Sequence, residues 1–114
     1  IDRFRSLGAR SVSSSSDPIE AVQGAHAVHT DTWVSMGQES EKAERIKTFG
    51  AYTVTTALMS HAAPDAVFMH CLPAYRGLEV EAAVIDGPSS RVIRQGHNRL
   101  HSARGALAHL MGVK

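Results

Sequence analysis

Apolar positions along the chain recur in two rhythms. Phe4 and Leu7 stand at helical spacing before Gly8, and this predicts the end of a helix there. Ala9 to Ser13 reads as a short strand, and the serine run Ser13 to Ser16 as a solvated turn. Asp17-Pro18-Ile19-Glu20 predicts a helix start: Asp17 caps, Pro18 suits the first helical position and Glu20 closes a capping box. That helix should bury Ile19 and Val22 and end at Gly24. Ala25 to Thr30 reads as a strand with Asp31 at its carboxyl end. Gly37 breaks the chain. Ser40 to Phe49 then reads as a helix with Ala43, Ile46 and Phe49 on one face, Glu41 and Arg45 paired, and Gly50 as its end.

The second half continues the alternation. Tyr52 to Thr55 is a β-branched strand, Ala57 to Ala62 a short helix and Pro64-Asp65 a turn. Ala66 to His70 is a nearly continuous apolar run, as expected of a strand covered on both faces, and Leu72-Pro73 stops it. Glu79 to Ile85 is a helix and Arg91 to Arg94 a last strand. Asn98 then caps a helix whose stripe is Leu100, Ala103, Leu107, Leu110 and Met111. Strands alternating with helices predict an α/β fold, a Rossmann-like parallel sheet with helices on both faces. Because the chain opens on what reads as a last helical turn, an incomplete domain is expected.

Composition narrows the function classes. The 114 residues are 43% hydrophobic and 20% charged, which suits one globular domain. Net charge is +1, with no basic patch of the kind that binds nucleic acid. No apolar run reaches the roughly 18 residues of a membrane span. Ile1 to Arg5 is charged and lacks a signal peptide's apolar stretch. The single cysteine, Cys71, excludes an internal disulfide and a cysteine-based zinc site, and a free thiol suits the cytoplasm.

Ligands of open parallel sheets bind beyond the carboxyl ends of the strands. Two polar stretches fall there, Asp31 to Glu39 and His70-Cys71-Leu72-Pro73. Asp31 can bind an ammonium group, while Ser35 and the amides around Met36-Gly37 donate, so together they can hold both ends of a zwitterion. Plainer roles exist: an Asx turn for Asp31, a capping box from Ser35 to Gln38, and a small buried hydrophobe for Cys71. The Leu72-Pro73 bond is a candidate cis peptide that would aim the Leu72 carbonyl at a ligand. Arg99, read at a helix start, opposes the dipole there, which makes an anionic or carbonyl ligand beside it more plausible and leaves that role level with a solvated one. Among the seven histidines, His97 and His101 are i,i+4, and His70 adjoins Cys71 but on the opposite side of a strand. No HExxH or CxxC pattern exists, and neither a metal site nor another cofactor is expected.

Asp31-Thr32-Trp33-Val34-Ser35-Met36-Gly37, His70-Cys71-Leu72-Pro73-Ala74 and Asn98-Arg99-Leu100-His101 together resemble the ornithine carbamoyltransferases over nearly the whole chain. The Ser-Met-Gly loop is the mark of the ornithine enzymes. The resemblance implies carbamoyl transfer from carbamoyl phosphate to the δ-amine of L-ornithine, giving citrulline and phosphate in arginine biosynthesis. It assigns Asp31, Ser35 and Met36 to ornithine, Cys71 and Leu72 to the meeting point of the two substrates, and Arg99 to the carbamoyl oxygen, with Cys71 and Arg99 as the catalytic pair. It implies a loop around Gly37 that closes over ornithine, and a homo-oligomer, a trimer sharing sites between subunits.

Tyr75 stands where the family usually has His, Leu78 where it has an acidic residue, and Gln95-Gly96-His97 where it has Glu-Ala-Glu. The family's phosphate-binding Ser-Thr-Arg-Thr loop does not occur in this sequence. The expectation is therefore the C-terminal part of the ornithine-binding domain, without the carbamoyl-phosphate domain and inactive by itself. The alternative is a non-catalytic relative that acts as an oligomerising or interaction module.

Overall fold

The computed structural model describes residues 2–8, 10–34, 37 and 39–113. Its centre is a two-stranded parallel sheet, β1 (Ala27–Thr30) beside β2 (Val67–His70), in register from Ala27 opposite Val67 to Thr30 opposite His70. Parallel pairing needs a long crossover. Here it runs through a 3₁₀ turn at Glu39–Glu41, α3 (Lys42–Phe49), a second 3₁₀ turn at Gly50–Tyr52 and α4 (Thr56–Met59). Before the sheet lie α1 (Asp2–Ser6) and α2 (Pro18–Val22); after it come α5 (Ala82–Ile85) and the long α6 (Val92–Leu110).

The core is small: Val28, Val54, Phe68, Val80, Val84, Ile85 and Val92, with Val22, Ala25, Met59 and Leu72 among the residues packed against it. Phe68 sits at its middle with no exposed surface. Backbone bonds stitch short segments to this centre. Phe68 donates to Ser89 at 3.0 Å and accepts from Arg91 at 2.8 Å, while Val54 donates to Glu79 at 2.9 Å and accepts from Glu81 at 3.0 Å.

Several expected elements form. The helix ending at Gly8 is α1, and Gly8 takes the left-handed conformation at φ +92°. Asp17 caps α2 by accepting from the Ile19 amide at 2.8 Å, and Arg45 pairs with Glu41 at 2.9 Å. Both long apolar runs are strands.

Other expectations are corrected. Glu20 does not close a capping box: its carboxylate accepts from Ser15 Oγ at 2.6 Å, and the Asp17 amide donates to that hydroxyl at 3.1 Å. The serine run thus competes successfully for the carboxylate. Ile19 remains 46% exposed because α2 is too short to turn both apolar residues onto the core. Ala43 is exposed too, whereas Arg45, Ile46 and Phe49 of α3 are half-buried. Arg10 to Ser13 are irregular; Ala9 lies outside the described residues. Tyr52 to Thr55 contributes a single bridge, Val54 to Val80, since the 3₁₀ turn ends only at Tyr52 and a helix starts at Thr56.

Arg91 to Arg94 is not a strand. Ser90 makes one bridge to Phe68, and the chain enters α6 two residues later. Val92 is buried in that first turn, although β-branched residues favour strands. Asn98 is consequently interior to α6, and Arg91 is the cap. The stripe on α6 is uncovered: Leu100 is 55% exposed, Leu107 59% and Leu110 81%. Glu79, expected to open a helix, is a fully buried residue in the turn before α5.

Candidate functional site

β1 and β2 run side by side, so their carboxyl ends deliver Asp31 and Cys71 to one rim. Cys71 Sγ donates to Asp31 Oδ1 at 3.0 Å. The Thr32 amide donates to the same oxygen at 2.7 Å, a bond to the next residue and not the contact two residues on that an Asx turn makes. From α6, Arg99 Nη1 donates to the Cys71 carbonyl at 2.9 Å. Three stretches far apart in sequence therefore meet around one cysteine. Arg99 reaches it from the third turn of a helix, so the argument from an unfavourable N-terminal dipole is corrected; its position follows from helix packing instead.

The thiol and the carboxylate tune each other. The bond to Asp31, then burial and the Asp31 charge, raises the Cys71 thiol above its ordinary 9.0. The same bond, followed by that of the Thr32 amide, lowers Asp31 below its ordinary 3.8. At neutral pH the pair is a thiol facing a carboxylate. For Asp31 the depressed value means a contribution to stability present above 3.8 and lost as pH falls through the folded value. For Cys71 the raised value means a contribution present below 9.0 and lost as pH rises through the folded value. Asp31→Asn removes the acceptor charge, so the thiol titrates lower. Iodoacetamide alkylation of Cys71 at pH 8 is expected to speed up several-fold, read by mass spectrometry; an unchanged rate refutes the coupling.

The loop after β2 is held from beneath. The Leu72–Pro73 peptide is cis, and Leu72 has φ +60°, a left-handed conformation unusual for a residue with a side chain. The Leu72 amide donates to His70 Nδ1 at 2.8 Å. Further on, the Tyr75 amide donates to Glu79 Oε1 at 2.6 Å. Neither His70 nor Glu79 has exposed surface.

Asp31, His70 and Cys71 each offer a metal-ligating atom, all within 4.8 Å of one another. This corrects the expected separation of His70 from Cys71: the strand ends at His70, so its alternation does not carry onto the next residue. Of the two His70 nitrogens, Nδ1 accepts from the Leu72 amide, while Nε2 faces Glu79 Oε1 at 3.3 Å without a hydrogen bond. Ser35 and Met36 lie outside the described residues. Around them, Arg45 Nη1 donates to the Trp33 carbonyl at 3.3 Å, Trp33 and Phe49 rings stand 6.2 Å apart, and Gly37 has φ +85°.

Of the residues that depart from the family pattern, Gln95 Nε2 lies 3.1 Å from His29 Nε2 on β1, and Tyr75 is half exposed. Sequence reasoning missed the His70–Glu79 support. No local signal marked it: Glu79 and Glu81 flank Val80 alike, and only the first is buried.

Residues 3–110 match the family model described as aspartate/ornithine carbamoyltransferase, Asp/Orn binding domain. The chain is 54% identical over 110 residues to an ornithine carbamoyltransferase of Clavibacter sepedonicus, covering 96% of this chain and 36% of that protein. Among solved structures it is similar to the ornithine carbamoyltransferase from Pyrococcus furiosus, with a TM-score of 0.74 and 52% identity over 81% of this chain and 29% of that one. The anabolic ornithine carbamoyltransferase from Campylobacter jejuni gives a TM-score of 0.80 at 39% identity, covering 86% of this chain and 32% of that one. The chain thus spans about a third of the length of the relatives it matches.

Proposed function

The chain belongs to the aspartate/ornithine carbamoyltransferase family, as its Asp/Orn-binding domain, and from that premise we propose that it is the ornithine-binding portion of an ornithine carbamoyltransferase. The reaction is transfer of the carbamoyl group of carbamoyl phosphate to the δ-amine of L-ornithine, giving citrulline and phosphate. The single observation that carries this reading is the convergence of Asp31, the Cys71 thiol and Arg99 at one rim of the sheet, at 3.0 and 2.9 Å.

The chemistry follows from what each group offers. An amine attacks only after losing its extra proton. Asp31 holds the ammonium form in place through a charge-assisted bond. The Cys71 thiol and the carbonyls beside Leu72 orient the neutral amine by hydrogen bonding. As the amine adds to the carbamoyl carbon, negative charge grows on the carbamoyl oxygen, and the Arg99 guanidinium stabilises it. The C–O bond to phosphate then breaks, and the departing phosphate takes up the proton lost by the attacking nitrogen, the ammonium's extra proton having gone to solvent. The remaining acceleration is the alignment of two bound substrates. Ser35 and Met36 complete the ornithine contacts, and Gly37 provides the left-handed pivot on which their loop closes and excludes water.

A homotrimer, a cytoplasmic location and a place in arginine biosynthesis belong to the same reading. So does inactivity of the 114-residue chain alone, which carries no Ser-Thr-Arg-Thr phosphate loop. Calorimetry tests the assignment: with carbamoyl phosphate present, the longer carbamoyltransferase containing these residues binds ornithine, and Asp31→Ala weakens binding by about 10- to 100-fold, the worth of one charged hydrogen bond. Stable oligomers without ornithine affinity would favour a non-catalytic interaction module instead.

A further inference from the structure

We propose that His70 and Glu79 are a buried positioning pair whose bonds to the Leu72 and Tyr75 amides hold the Cys71–Tyr75 loop so that Cys71 meets Asp31 and Arg99. Its consequence for catalysis rests on the ornithine reading above; its consequence for the thiol does not.

Burying a histidine and a glutamate completely is costly unless their polar atoms are used. Here they are used on backbone. His70 Nδ1 accepts from Leu72 at 2.8 Å, and Glu79 Oε1 accepts from Tyr75 at 2.6 Å. Because Nδ1 is the acceptor, the ring proton is on Nε2, which faces Glu79 Oε1 at 3.3 Å. That approach misses hydrogen-bond alignment, so Nε2 and Glu79 Oε2 have no partner among the described residues. The buried cluster beside them, from Val28 to Val92, is wholly apolar. What they secure is the backbone at both ends of the loop. Leu72 adopts φ +60°, which a leucine does not favour, directly on the His70 bond. Neither residue is hydrogen-bonded to Asp31 or Arg99 among the described residues, although a His70 ring nitrogen lies within 4.8 Å of the Asp31 carboxylate and the Cys71 thiol; the bonds that both residues make go to the loop backbone.

Asparagine and glutamine at position 70 separate this role from mere filling. The Asn amide oxygen falls near Nδ1 and can still accept from Leu72, whereas Gln places its oxygen near Nε2 and leaves that amide unpaired. In the 114-residue chain, Cys71 alkylation at pH 8 is expected to rise at least fivefold in His70→Gln and in Glu79→Ala, because the freed thiol loses Asp31. His70→Asn and Glu79→Gln, which keep an acceptor, should stay within twofold of wild type. In the longer carbamoyltransferase, His70→Gln should lower kcat/KM for ornithine at least tenfold with KM for carbamoyl phosphate unchanged, and His70→Asn should recover most of that loss. Equal alkylation rates in the Asn and Gln variants overturn the proposal. If His70→Gln or Glu79→Ala loses its far-UV circular dichroism, the decision passes to His70→Asn and Glu79→Gln: labelling within twofold supports it, and a tenfold rise overturns it. A wild-type enzyme that does not carbamoylate ornithine, with the labelling contrast intact, defeats the ornithine reading and leaves the positioning pair standing.

Discussion

In the longer carbamoyltransferase proposed to contain these residues, Arg99→Ala is expected to lower kcat/KM for carbamoyl transfer by about 10²- to 10³-fold, the typical worth of one donor aimed at developing negative charge. The guanidinium spends Nη1 on the Cys71 carbonyl, at 2.9 Å, and has further N–H groups for the carbamoyl oxygen. Most of the loss should fall on kcat, because the interaction strengthens as charge develops and is weaker with ground-state carbamoyl phosphate. Arg99→Lys, with one compact ammonium group, should recover only part, since it cannot serve both oxygens in a fixed fork. Arg99 is exposed on α6, so the melting temperature should barely move. A kcat/KM within threefold of wild type, in a variant that melts normally, would remove Arg99 from the reaction.

The second large effect concerns stability. Phe68→Ala is expected to destabilise the 114-residue chain by about 3–5 kcal/mol, the usual range for emptying a buried aromatic site. Phe68 has no exposed surface, its N–H and C=O both hold the segment leading into α6, and it lies opposite Val28 in the sheet register. Domains of this kind retain only about 5–15 kcal/mol in total, so much of the folded population at moderate urea would be lost. Leu110→Ala is the control. At 81% exposure on α6 it should cost under about 0.5 kcal/mol. Urea melts of the two variants decide the matter: comparable losses would mean that the α6 stripe is packed and that the core is wrongly located.

The two effects share a cause. Phe68 fixes β2, β2 delivers Cys71, and the segment bonded to Phe68 launches the helix that carries Arg99. A cavity at Phe68 should therefore loosen the rim as well as the fold.

Local chemistry made much of this readable in advance. Asp17 caps α2 because an aspartate before proline meets free amides within its own turn. β1 and β2 are strands because Val28, Phe68 and their neighbours form apolar runs bounded by turn residues. Asp31 and Cys71 share a rim because parallel strands point their carboxyl ends the same way. Each inference needs only neighbours within a few residues.

The remainder depended on distance in space. Val92-Ile93 fits a strand or a helix equally well, and the choice fell to helix once Ser90 and Arg91 had used up the free edge beside Phe68. Arg99 meets the Cys71 carbonyl 28 residues away because α6 packs across β2, a fact no spacing encodes. Glu79 and His70 are charged or polar letters whose burial follows from the enclosure of Phe68 and Val80, and periodicity cannot see enclosure. The α6 stripe is the converse case: a helical apolar rhythm looks the same whether its face is covered or bare, and only the arrangement of the surrounding elements leaves it bare here.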